Sequence, residues 1–88
     1  MLNENLTKGE AQWLINVYQP KMGLRIDGGN MDNYFIPARR LITGKQINKP
    51  SCGCEYKVFA QITNSLFDQY KTDIEAIANK TTRGKNKK

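Results

Sequence analysis

The apolar positions of this chain fall into three helical stretches separated by polar connectors. In the first, Ala11, Leu14, Ile15, Tyr18 and Met22 recur at three- and four-residue spacing, which marks one apolar helical face. Trp13 and Val17 widen that face or form a second one. Thr7-Lys8-Gly9-Glu10 sets its start as a capping box. The Thr7 hydroxyl can accept from the Glu10 amide, and the Glu10 carboxylate can reach back to the Thr7 amide. Leu6 and Ala11 flank the cap as a hydrophobic staple. Pro20 is expected to end or kink this helix near Tyr18 or Gln19.

Residues 23–33 read as a connector. Asp27-Gly28-Gly29-Asn30 is turn chemistry, and Leu24 and Ile26 alternate with Arg25 in a short extended piece. The glycine pair lacks the spacing and the lysine of a nucleotide loop. A second helix is predicted over residues 33–44. Asp32 or Asn33 caps it, Pro37 sits in its first turn or restarts it, and Gly44 stops it. Phe35, Ala38, Leu41 and Ile42 are its buried candidates, leaving Arg39 and Arg40 to point outward or at a partner.

The third helix is predicted from Ser51 to about Ala78. Phe59, Ile62, Leu66, Tyr70, Ile74 and Ile77 form its stripe, flanked by Val58 and Phe67. Some 26 residues at about 1.5 Å each span about 40 Å, more than two short helices are expected to cover. Either the last turns fray, or helix 1 covers the whole stripe, or Tyr70, Ile74 and Ile77 cover something outside this chain; on the last reading these three, with the aromatic Trp13, are the expected partner-binding residues. The fold class is an all-α domain over residues 1–79, with two short helices and one long C-terminal amphipathic helix, followed by a flexible basic tail over residues 80–88.

Composition sharpens this picture. The 88 residues carry 39% hydrophobic and 25% charged side chains, enough for one small globular domain. No run reaches the ~18–20 apolar residues of a membrane span. The first ten residues lack a basic flank and an apolar stretch, so no signal peptide and an intracellular location are expected, with reduced thiols. The net charge of +6 is uneven: −1 over residues 1–37, +4 over 38–57, −2 over 58–79 and +5 over 80–88. Two basic groups follow as nucleic-acid or anion-binding candidates. One is the central patch of Arg39, Arg40, Lys45, Lys49 and Lys57. The other is the tail, with Lys80, Arg83, Lys85, Lys87 and Lys88.

The chain has no histidine and two cysteines, Cys52 and Cys54. A Cys-x-Cys pair supplies two of the four ligands zinc needs, so no metal is expected within one chain; two copies could share a four-thiolate site. A redox pair normally reads Cys-x-x-Cys beside a βαβ pattern, which is missing. The remaining readings are an anion-binding helix start, or small residues in a tight loop-to-helix turn. Without histidine no Cys-His or Ser-His pair can be built, and no carboxylates converge, so neither an enzyme nor a cofactor is expected.

From Pro37 to Tyr70, "PARRLITGKQINKPSCGCEYKVFAQITNSLFDQY" resembles small tailed-bacteriophage proteins in which a glycine-to-Ser-Cys-Gly loop leads into a final amphipathic helix. Gly44, Ser51, Cys52, Gly53 and Cys54 carry the likeness, which spans under half the chain. The family pattern is Cys-Gly-x-Cys where this chain has Cys-Gly-Cys. The resemblance implies a phage origin, in the host cytoplasm and the virion. Together with the residue pattern it gives three expectations. The first is a non-enzymatic virion or assembly subunit that packs on a larger phage protein, or on itself, with the tail as an arm. The second is a DNA-binding protein of packaging or regulatory type, and the third is an inhibitor of a host protein.

Overall fold

Thr7 opens the first helix as its sequence requires. Its hydroxyl accepts from the Glu10 amide at 3.2 Å, and the Glu10 carboxylate accepts from the Thr7 amide at 3.0 Å. The computed structural model describes residues 2–23 and 25–80, and it contains three helices of 14, 16 and 26 residues. These are α1 (residues 8–21), α2 (residues 28–43) and α3 (residues 53–78), with no strand among the described residues. The all-α class with a long last helix is thus the observed one. Residues 81–88, most of the predicted tail, and Leu24, half of the predicted extended piece, lie outside the described residues.

Pro20 and Pro37 both lie inside helices, and neither is the last helical residue. Proline has no amide hydrogen, and its ring crowds the carbonyl four residues back. Just before Pro20 the helix widens into a π-turn over Leu14–Tyr18, and the Gln19 amide donates to Leu14 O, five residues back. Before Pro37 the same occurs over Met31–Phe35, with the Ile36 amide donating to Met31 O. A wide turn placed there relieves the crowding and lets the chain continue helically. α1 therefore runs past the expected stop to Lys21.

The start of α2 also differs from expectation. Asp27, not Asp32 or Asn33, is its cap: the Asp27 carboxylate accepts from the Asn30 amide at 2.8 Å. Gly28 and Gly29 form its first turn rather than a loop, and Pro37 lies mid-helix. The stop at Gly44 is as read, with φ at +71°, and its amide donates to Arg40 O at 2.8 Å. An added Cβ there would also approach Asn3 Oδ1 to 2.8 Å. That contact exists because Asn3 caps the end of α2, donating from its amide to Ile42 O at 2.7 Å and from its side chain to Leu41 O at 3.0 Å.

The contacts order the three helices. α1 runs antiparallel to α3: Gln12 donates to Ala78 O at 3.2 Å at one end, while Tyr18 meets Asn64 and Phe67 further on. α2 runs antiparallel to α1 and alongside α3, with Tyr18 against Phe35 and Arg39 against Phe59. Residues 44–52 return along α2, held by Arg40 Nε donating to Ile47 O at 2.9 Å and by a Lys49–Asp32 ion pair at 3.2 Å. Tyr18 is the hub. Its ring is fully buried, edge-on to Phe35 at 5.9 Å and Phe67 at 5.5 Å, and stacked with Trp13 at 6.5 Å. Its hydroxyl donates to Asn64 Oδ1, and Asn64 Nδ2 donates onward to Met22 O at 3.3 Å.

The buried line of α3 is Ala60, Thr63, Phe67, Ile74 and Ala78. At about 100° per residue this line lies about 75° round the helix from the middle of the predicted stripe. The prediction weighted large side chains, whereas the contact also uses Ala60, Thr63 and Ala78, which let helices approach closely. Thr63 is tolerated there because its hydroxyl donates to Phe59 O at 2.8 Å. Ile74 is 0% exposed and Ala78 5%, so α1 covers the far end of α3 within one chain. The length mismatch from which an external partner was expected at Ile74 is absent. Tyr70 and Ile77 are half-buried, packed on the same core.

Two outcomes are expected. Ile74→Ala should lower the unfolding free energy by about 2–5 kcal/mol, and Ile62→Ala by under about 1 kcal/mol, in urea titrations. Burial, with the Asp68 charge adding to it, pushes the Tyr18 phenol above its ordinary value near 10. Its contribution is fully present below pH ~10, where the phenol is neutral folded and unfolded, and falls as pH rises further because only the unfolded form ionises readily. Tyr18→Phe should flatten that alkaline slope while costing about 1 kcal/mol at neutral pH from the lost hydrogen bond.

Candidate interaction surface

The exposed apolar groups of α3 lie at its beginning, not its end. Val58 is 55% and Ile62 42% exposed. On helical geometry Ile62 sits about 130° from the centre of the buried face and Val58 about 170°. The core contacts of α1 lie further along α3, so only the end of α2 and the return segment stand near this turn. Arg39, Pro50 and Cys54 border a shallow depression of about 330 Å³ together with Val58, Phe59 and Ile62. The Arg39 guanidinium lies over the Phe59 ring at 4.5 Å, a cation–π contact that shields one side of that ring.

The helix below this surface starts two residues later than predicted. Cys52 is extended and acts as the cap, and Gly53–Glu55 forms a tight 3₁₀ turn before Tyr56–Ala78. The Cys54 amide donates to Cys52 Sγ at 3.3 Å. The two sulfurs are joined as a disulfide across Gly53, where reduced thiols were expected. In that state they are not thiolate ligands, and the shared metal site between two copies would first require the bond to open. Among the described residues, no three His, Cys, Asp or Glu side chains gather as a metal site would require.

The five central basic residues are not brought to a common point. Arg39 covers Phe59, Arg40 donates to Ile47 O, and Lys49 pairs with Asp32. The hydrogen bond from Lys49 to Asp32 raises the ammonium pKa above its ordinary value, and Lys49 also lies 6.0 Å from the Tyr56 ring centre. Lys45 stands near the N-terminal segment, beside Leu66 and Tyr70, and Lys57 is exposed on α3. Lys80 is exposed, and Arg83, Lys85, Lys87 and Lys88 lie outside the described residues. Trp13 is half-buried and borders a separate depression with Pro37, Arg40 and Leu41.

Val58 and Ile62 were read as core-side residues, and the signal that places them outside was available. If the small residues Ala60, Thr63 and Ala78 join Phe67 and Ile74 in one line, both fall off it. No helix of the described residues is long and apolar enough to cross a membrane. No protein-family model, curated protein or solved structure matches the chain.

Proposed function

We propose that this is a non-enzymatic binding subunit that docks on a larger protein through the start of α3. The observation that carries the reading is the pair Val58 and Ile62, left open beside Phe59 and Pro50 although the other large apolar residues of α3 pack on the chain's own core. Apolar groups flanked by an aromatic ring and an arginine are the usual makings of an interface centre. The phage resemblance of residues 37–70 makes a virion or assembly component the favoured setting, with the basic residues from Lys80 onward as an arm. A second copy of the chain and a host protein under inhibition are the other partners the same surface would suit.

DNA binding has less support. Three of the five central basic side chains are engaged within the chain, and residues 58–79 of the long helix carry a net charge of −2. A groove-entering helix would be expected to be basic.

The test compares tagged wild-type chain with a Val58→Asp, Ile62→Asp variant, from cells and on duplex DNA. The variant should keep the wild-type helical signal and urea midpoint. The wild type should retain a stoichiometric protein partner, or form a dimer by sedimentation, and the variant should lose it. Duplex binding that collapses between about 50 and 200 mM salt, survives the double variant and disappears in Arg39→Glu, Arg40→Glu would overturn the proposal in favour of DNA binding.

A further inference from the structure

The Cys52–Cys54 disulfide has features that a structural staple lacks. Staples tie distant segments and remove much entropy from the unfolded chain. This bond closes over one residue, with Cα atoms 5.2 Å apart, and ties no two elements together. Both cysteines are exposed, so each sulfur can be approached from solvent. The bond also sits at the first turn of a 26-residue helix, with the Cys54 amide already donating to Cys52 Sγ.

We propose that Cys52–Cys54 is a thiol-exchange site that takes electrons from thiols of the glutathione class. A thiolate attacks Cys54 Sγ, the new mixed disulfide forms there, and the Cys52–Cys54 bond breaks with its electron pair on Cys52. That leaving thiolate stays at the cap position, where the Cys54 amide and the positive end of the helix favour the charge. A well-stabilised leaving thiolate speeds exchange. A second thiolate then attacks the glutathione sulfur of the mixed disulfide. It releases oxidised glutathione and leaves Cys54 as a thiolate, which takes up a proton. Two thiols are oxidised and one protein disulfide is reduced. The reverse sequence, with oxidised glutathione, closes the ring. The site is independent of the docking surface, although Cys54 borders it.

The test uses the full chain, folded, in buffers of varied reduced-to-oxidised glutathione ratio, trapped with a maleimide and weighed by mass spectrometry. The air-equilibrated chain should take up no maleimide. Excess reduced glutathione should expose both thiols, oxidised glutathione should restore the bond, and Cys52→Ser, which lacks the thiolate that closes the ring, should accumulate one glutathione on Cys54 from oxidised glutathione. The helical signal and urea midpoint should match in the open and closed forms and in a Cys52→Ser, Cys54→Ser variant. Three results would each overturn the proposal: labelling of both cysteines before any reductant, a bond that glutathione leaves intact in the folded chain, or a large drop in the urea midpoint when the bond opens.

Discussion

The arrangement of the three helices depends on one buried side chain. The Tyr18 ring lies between Phe35 of α2 and Phe67 of α3, and its hydroxyl reaches Asn64. A phenol in a core needs a partner, and only one rotation of α3 presents Asn64 to it. That rotation puts Phe67 and Ile74 inward, and it turns Val58 and Ile62 out. The wide turns before Pro20 and Pro37 serve the same arrangement. They let α1 continue through Pro20 to Lys21 and α2 through Pro37 to Thr43.

The open surface and the closed core are therefore two results of one packing choice. The far end of α3, which looks too long for the chain on arithmetic alone, is covered by α1 and half-enclosed by the residues ahead of it. The near end has α2's last turns and a return segment held by two contacts, Arg40 to Ile47 and Lys49 to Asp32. An exposed disulfide marks the same turn. The features with no role in holding the fold thus collect at the beginning of α3. Both the proposed docking surface and the proposed exchange site lie there.

Local signals in the sequence were readable where a single short-range interaction decides. The Thr7–Glu10 capping box and the Gly44 stop are such cases. The amphipathic length of α3 was also legible, because period and the absence of breakers are sequence properties. Pro20 marks an end or a kink near Tyr18, and the wide turn over Leu14–Tyr18 lies there; how far the helix runs beyond it, to Lys21, depends on packing. Asp27-Gly28-Gly29-Asn30 reads as turn chemistry in a connector, which hides the cap that Asp27 supplies. The side of α3 that faces inward was misjudged by about 75° because large apolar residues were counted and small ones were not. Which surface is open could not be read before that rotation was known. The disulfide runs against the reduced thiols that the expected intracellular location implies, and a Cys-x-Cys spacing does not by itself report whether its sulfurs meet.

The central claim is that one copy of the chain completes its own core. It is tested most directly by thermal and urea unfolding of the full-length Val58→Asp, Ile62→Asp chain, in which pairing through the open surface is removed, across a wide range of protein concentration. A self-sufficient core gives a single cooperative transition whose midpoint does not move with concentration. A midpoint that climbs with concentration would show that a second chain completes the core, and would contradict the assignment of α1 as the cover of α3.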